Sequence, residues 1–484
     1  MKIQYILSAL VLILTAQRSV AQNQKYTPKI EPCACVFKAD SNHKEHCAYL
    51  VVPENRSKPN GKTIKLPFII VESNNPNKHK DPVLYTAGGP GASSLHGVAS
   101  VYRRQFLKER DYIAFEQRGT WFALPTLSCN GMAEAVKEAY RKDLPLDNMV
   151  VAAAKKCRQE LIASGVDLDA YNTIENAADI EDLRRALHID SINLVGISYS
   201  GGLMLTVMRN FPQHIRSVVL DSPLPGFVNY EEDALFNIND AFNRIFDNCG
   251  RDSTDKALYG NMKAHFQNYF TTIGDKVFTL KYLEKGTKDS ITIKYRRSEL
   301  LDFLVNMLSA NDQIKHVPYI INQLIAGKQH QYMTNYFDGI FNSGSRNTLG
   351  MRFSMYCSEQ INYADQKIID KQNEIFPYLA GYRFNSPNRP ICDCWKVKSV
   401  DKIAKTPVYS NIPLLLASGD TDPYCRPFYN DLIHHFIPNS QRLIFTDKTH
   451  APLLNTKVGD ELLAQFLANP MQKVIPDGKS VVAY

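Results

Sequence analysis

The sequence predicts an α/β fold: a mostly parallel sheet, covered by helices on both faces and interrupted by a mainly helical insertion. Three observations carry this. Short strand-type apolar runs alternate with helical patterns up to about residue 223, and again from about residue 401; that alternation builds a parallel sheet with crossover helices. Between these stretches helical spacing dominates. Leu235, Ile238, Phe242, Ile245 and Phe246 share one face, and Leu300, Leu301, Phe303, Leu304, Met307 and Leu308 another. Third, Ile192 to Val195 runs into Gly196-Ile197-Ser198-Tyr199-Ser200-Gly201-Gly202 and then the apolar Leu203 to Met208. That order is strand, tight turn, helix.

The chain opens with Lys2, a short apolar run from Ile6 to Ala16, and Ser19-Val20-Ala21. This is the pattern of a cleaved export signal over residues 1–21, too short to span a bilayer. It points to a periplasmic or secreted protein with Gln22 first, and the sequence offers no other stretch able to span. In an exported chain the ten cysteines are disulfide candidates whose connectivity spacing alone does not fix. None forms a C-x-x-C pair, there is no H-E-x-x-H, and the pattern implies no metal and no cofactor. Of 484 residues, 44% are hydrophobic and 22% charged, with a net charge of +7. The basic residues are spread along the chain, as in a solvated mixed surface rather than a nucleic-acid footprint.

Residues 22 to 45 read as an extended lead-in. Ala48–Val52, Ile64–Val71, Val83–Thr86, Tyr112–Phe115, Ile192–Val195 and His214–Leu220 then read as six core strands. Ala133 to Ala163 reads as helical with a break at Pro145, and Thr173 as the cap of the next helix. The first part of the core is thus 22–223, and the helical cap, inserted after the sixth strand, is 224–400. A hairpin is expected within the cap at Val277–Leu280 and Ile291–Ile293. The second part of the core is 401–484, with strands at Leu414–Leu416 and Arg442–Phe445 around a helix at Pro427–Phe436.

A serine held at a strand-to-helix turn is presented beside the next backbone N–H and a helix N-terminus; this is the nucleophile elbow of α/β-hydrolases. The usual pattern is G-x-S-x-G, and Ser200 stands where its last glycine is expected. The alcohol needs a base, and the base a carboxylate, in the chain order Ser, acid, His. Asp422 follows the strand at Leu414 and is the expected acid. Asp221 is the runner-up, and Asp420 is read as tightening the turn. His450 follows the last strand and is the expected base, whereas His434 and His435 lie in a helical pattern. Gly88-Gly89-Pro90-Gly91 can expose backbone N–H groups, so Gly89 and Tyr199 are expected to hold the oxyanion. Glu116 and Arg118 are read as a hydrogen-bonded pair shaping nearby loops.

These residues resemble the proline iminopeptidase and tripeptidyl aminopeptidase family of serine exopeptidases. Ala87-Gly88-Gly89-Pro90-Gly91 resembles its H-G-G-P-G, Glu116 to Thr120 its D-Q-R-G-x-G, and Gly196 to Gly201 its G-x-S-Y-G. Asp422-Pro423 and His450-Ala451-Pro452 fall where that family carries its acid and base. The resemblance implies an α/β-hydrolase with a helical cap that acts on peptides with a free N-terminus. It further implies bridges Cys35–Cys47, Cys129–Cys157 and Cys357–Cys392, leaving Cys394 to pair with Cys425 and Cys33 with Cys249. Ala87, Glu116, Trp121 and Ser200 depart from the family pattern, and Trp121 is expected to narrow the pocket. Recognition of an amine calls for a carboxylate in the cap, and Glu359, beside one proposed bridge, is the candidate. A secreted carboxylesterase on the same fold is the alternative, followed by a non-catalytic binding protein.

Overall fold

The computed structural model describes residues 26–38, 42–58, 60–251, 253–345, 347–383 and 387–484, with the side chains of 253–255 excepted. The expected export signal lies outside them. The strands are β1 (Lys29–Pro32), β2 (Glu45–Pro53), β3 (Thr63–Val71), β4 (Val83–Thr86), β5 (Tyr112–Phe115), β6 (Ile192–Ile197), β7 (Ile215–Asp221), β8 (Phe278–Leu283), β9 (Ser290–Tyr295), β10 (Leu414–Gly419), β11 (Ser440–Phe445) and β12 (Val481–Ala483). Ten of them form one sheet in the order β1-β2-β3-β5-β4-β6-β7-β10-β11-β12, and β8 and β9 pair separately. From β5 to β11 neighbouring strands run parallel, and the strands at both edges run antiparallel.

The central strands are apolar on both faces, as a sheet covered on both sides requires. Leu194, Val218, Leu220, Leu414 and Leu416 point into one core. Their neighbours Val195, Val219, Leu415 and Ala417 point into the other. This period of two is why continuous apolar runs mark these strands in the sequence. Two edge strands carry no such mark. β12 has three residues, and β1 lies within the Pro- and Cys-containing lead-in, pairing Lys29–Pro32 with Ala48–Val51. With β1 counted, the helical insertion follows the seventh strand rather than the sixth.

Between β7 and β10 the chain forms helices and the β8–β9 hairpin, packed around Phe242, Phe266, Leu304 and Phe337. Helices Gly131–Arg141 and Leu146–Ala163, which precede β6, join this layer. Tyr140 enters the same cluster, and Cys157 packs with Met351, Phe353 and Trp395. Disulfides Cys35–Cys47, Cys129–Cys157 and Cys357–Cys392 form as the resemblance implies. The pairings proposed for the remaining cysteines do not: Cys33, Cys394 and Cys425 are thiols. Cys394 lies on helix Arg389–Trp395 with its sulfur 3.1 Å from the Ile391 carbonyl, whereas Cys425 is buried in the site described below. The helix read as capped by Thr173 is capped by Asn172, whose side chain accepts the Glu175 N–H at 3.0 Å. Among the described residues no helix is long and apolar enough to cross a membrane, and no group of side chains is arranged to hold a metal ion.

Candidate active site

Ser198 follows β6 with φ +56°, a backbone region that side chains other than glycine enter rarely. The turn is held from below. The Ser198 N–H donates to the Asp221 carbonyl at 3.1 Å, and the Ser198 carbonyl accepts from Gly201 N–H at 2.8 Å and Leu224 N–H at 2.9 Å. The sharpness of the turn leaves no room for side chains at its flanks. A Cβ on Gly196 would stand 2.6 Å from the Ser200 carbonyl oxygen, and one on Gly201 would stand 2.5 Å from Pro223 Cβ. Ser200 fits because its buried hydroxyl turns away to bond the Thr86 hydroxyl at the end of β4. The close approach that needs glycine has moved one position along, to Gly201.

Asp422 and His450 are brought together. His450 Nδ1 lies 2.8 Å from Asp422 Oδ2, and the other carboxylate oxygen accepts Tyr424 N–H at 2.8 Å and Cys425 N–H at 3.1 Å. Burial alone would raise the Asp422 carboxyl. The His450 charge, the His450 hydrogen bond and the two amides outweigh it and hold the carboxyl below its usual range. Burial would likewise lower the His450 imidazole, but the Asp422 charge and hydrogen bond, helped by Asp221, raise it. The Tyr424 ring meets the His450 ring edge-on, with centroids 5.5 Å apart. Among the described residues the Ser198 hydroxyl has one side-chain partner, the Cys425 thiol at 4.0 Å.

The other acid candidates have different work. Asp420 binds Arg244 of the insertion (Nε at 2.7 Å) and accepts the Asp447 N–H at 2.8 Å, which joins the acid turn to the loop after β11. Asp221 is fully buried. Its carboxylate accepts Leu453 N–H at 3.2 Å and Leu454 N–H at 2.8 Å, and neighbouring Ser222 accepts Ala451 N–H at 2.9 Å. The end of β7 thus holds both the backbone of Ser198 and the loop that carries His450. His434 bonds Ser440 Oγ at 2.7 Å on the far helix Pro427–Phe436.

The glycine loop lies against Ser198: a Cβ on Gly88 would stand 2.8 Å from Ser198 Cβ. Glu116 and Arg118 support this region without pairing with each other. Buried Glu116 accepts Ser93 Oγ and Ser94 N–H at 2.9 Å each. Arg118 grips Asp179 through two bonds of 2.8 Å and donates to the carbonyls of Glu54 and Ala170. Between them, Gln117 donates to the Ala87 carbonyl at 2.6 Å. Trp121 is 40% exposed and rests on His96, with ring centroids 5.6 Å apart.

Glu359 needs correction as an amine-binding carboxylate. Its two oxygens accept the Thr173 N–H and hydroxyl at 2.5 Å each, and the same hydroxyl is 2.8 Å from the Tyr199 phenol. It adds to the Asn172 cap by taking the first N–H of helix Thr173–Ala186, and through the Thr173 hydroxyl it reaches the Tyr199 side chain next to Ser198. Burial raises its carboxyl, against the bonds from Thr173. A carboxylate's position in sequence does not tell which way it points. Sequence reasoning also missed Tyr424, Cys425 and Arg352. The first two are within three residues of Asp422 and could have been found by that nearness. Arg352 has no such signal, since its contact in the site is Gly89, 263 residues away in the chain.

A parallel sheet that presents a serine at an elbow, with an Asp–His pair at the next strand ends, defines the class. The family model described as alpha/beta hydrolase fold matches residues 81–274, and the one described as TAP-like protein matches residues 377–479. The chain has the α/β-hydrolase fold. It is 30% identical to a tripeptidyl aminopeptidase of Streptomyces lividans over 187 residues, 36% of this chain and 35% of that protein; that match spans about a third of the relative's length. It is 21% identical to serine protease Hip1 of Mycobacterium bovis over 404 residues, 78% of this chain and 76% of that protein. The solved structure of proline iminopeptidase from Mycobacterium smegmatis aligns with 87% of this chain and 98% of its own, at 15% identity and a TM-score of 0.40.

Proposed function

We propose that this chain is an exported serine aminopeptidase that releases residues or short peptides, such as tripeptides, from peptide N-termini. The observation that carries the reading is the Asp422–His450 pair beside a serine at φ +56°. The likeness to peptidases favours an amide over an ester, and the opening signal pattern with three disulfides favours export. In this mechanism His450 Nε2 takes the proton of Ser198 Oγ as the oxygen attacks the scissile carbonyl. Asp422 fixes the imidazole through Nδ1 and balances its charge. The N–H groups of Gly89 and Tyr199 hold the oxyanion. His450 then gives its proton to the leaving amine, and water activated by the same imidazole hydrolyses the acyl-enzyme.

The test is a panel of peptide substrates with free and blocked N-termini beside simple esters, with fluorophosphonate labelling of Ser198. Preference for the free amine, labelling at Ser198 and loss of turnover by at least about 10³-fold in Ser198→Ala are expected. Equal cleavage of blocked peptides overturns the aminopeptidase reading. Retained activity in Ser198→Ala overturns the assignment of the nucleophile.

A further inference from the structure

Four carbonyls of the loop against Ser198 are held from four places. The Ala87 carbonyl accepts from Gln117 of the core at 2.6 Å, and the Gly88 carbonyl accepts the Ala92 N–H of the loop itself at 3.3 Å. The other two are held by the insertion. The Gly91 carbonyl accepts Thr348 N–H at 2.8 Å, and the Gly89 carbonyl accepts Arg352 Nη1. Arg352 is buried on helix Leu349–Tyr356, and its guanidinium lies 5.0 Å from the ring centroid of Tyr356, one turn further along. The fit is tight on this side as well: a Cβ on Gly89 would stand 2.8 Å from Asn347 Oδ1, and one on Gly91 2.8 Å from the Thr348 carbonyl oxygen.

A glycine-rich loop has many backbone conformations open to it, and an oxyanion donor is useful only when it is aimed before the reaction. Gly89 has φ +116°. The Gly89 N–H shares a rigid peptide plane with the Gly88 carbonyl, and the Gly89 carbonyl lies in the next plane, so holding both carbonyls restrains the rotations at the Gly89 Cα that would turn the N–H away. One of those two fixings is a charge-assisted bond in a buried setting, the stronger kind. It comes from a segment 263 residues away from the loop.

We propose that Arg352 is a positioning residue for the reaction: by binding the Gly89 carbonyl it aims the Gly89 N–H at the oxyanion, so that the helical insertion completes a site whose proton-transfer groups belong to the core. This rests on the serine-hydrolase reading above. A structural contact alone would affect stability, whereas this role affects the transition state and leaves ground-state binding in place.

The experiment compares wild type, Arg352→Met and Arg352→Lys on the best peptide p-nitroanilide of the panel. A peptide boronic acid serves as a mimic of the tetrahedral adduct. In Arg352→Met, kcat is expected to fall on the order of 100-fold with KM within about threefold, and affinity for the boronic acid to fall in parallel. Arg352→Lys, whose ammonium can make one bond to the same carbonyl, is expected to recover part of both. A rise in KM with kcat preserved, or a Lys variant no better than the Met variant, overturns the proposal. Should Arg352→Met fail to fold, the kcat-against-KM split of Arg352→Lys decides on its own. Fluorophosphonate labelling separates the two levels. Wild type unlabelled at Ser198 removes the hydrolase reading itself, while labelling with unchanged kcat in Arg352→Met removes only the role of Arg352.

Discussion

The two sides of Ser198 are built differently. On the side of the base, most of what holds the His450 loop comes from adjacent strand ends of the core, and the insertion adds Arg244 on Asp420 and Asn311, whose side chain accepts the Thr449 N–H at 3.0 Å. Thr421 N–H and hydroxyl both bond the Lys448 carbonyl, at 3.1 and 2.8 Å, and Asp420 N–H bonds the Phe445 carbonyl at 3.1 Å. Asp221 and Ser222 take the amides that follow His450. On the side of the oxyanion loop, half of the holding comes from the insertion, through Thr348 and Arg352. In the proposed mechanism, proton transfer thus rests mainly on the strand ends of the parallel sheet, and under the proposal for Arg352 charge stabilisation rests also on how a helix of the insertion packs.

The largest effect is expected where the base side is cut at its centre. Asp422→Asn leaves an amide facing His450 Nδ1 and removes the charge that balances the imidazolium, so kcat is expected to fall on the order of 10³- to 10⁴-fold. The pH profile gives a second check. With the wild-type imidazole raised above 6.5, His450 is protonated and inactive up to a higher pH than an ordinary histidine. The acid limb of kcat/KM is therefore expected to lie at higher pH than an ordinary histidine would place it. Loss of the Asp422 charge moves that limb downward. A limb that does not move in Asp422→Asn would mean that Asp422 does not set the histidine.

Asp221 measures how far the base side relies on its second carboxylate. Asp221→Asn puts an amide where two N–H groups converge, so one of Leu453 or Leu454 loses its acceptor, at a cost of about 1–3 kcal/mol. Activity is expected to fall on the order of 10-fold as the His450 loop shifts. Burial pushes the Asp221 carboxyl up to about 7 from an ordinary 3.8. The folded state therefore binds this proton more tightly than the unfolded chain does, and stability from this group declines as pH rises through that window. In Asp221→Asn that part of the decline is absent. Chemical denaturation at several pH values, wild type against variant, checks it: a difference independent of pH between 4 and 7 would refute the assignment.

The same division explains what the sequence alone reveals. Ser198, Asp422 and His450 each follow an apolar strand-type run in the chain order the sheet imposes, so periodicity and order bring them forward as candidates; Asp221 meets the same criteria, and it is the Asp422–His450 contact that separates the two acids. Ser200 and Glu359 were harder for opposite reasons. Ser200 broke a local pattern whose physical need, close approach of the elbow helix to Pro223, is met by Gly201. Glu359 fitted a chemical need, but its direction is set by packing against Thr173. Arg352 lay beyond reach, because nothing in a helical insertion marks which of its faces will meet a loop far back in the chain. Edge strands β1 and β12 were missed because short strands show too little alternation to register.

The smallest effect is expected at Ser200, where the departure from the family pattern is covered by a compensating contact. Its hydroxyl and that of Thr86 are both buried and bond each other. Ser200→Gly restores the usual motif yet leaves the Thr86 hydroxyl without this partner, so it is expected to destabilise the fold by about 1 kcal/mol rather than stabilise it. Activity should stay within about threefold, since neither hydroxyl contacts Ser198 Oγ. Thr86→Val in the Ser200→Gly background removes the stranded hydroxyl, and the double variant is expected to be more stable than the sum of the single changes. Thermal denaturation of the four proteins measures that coupling. A loss of activity above about 10-fold in Ser200→Gly, with stability unchanged, would mean that this hydroxyl belongs to the chemistry of the elbow rather than to its packing.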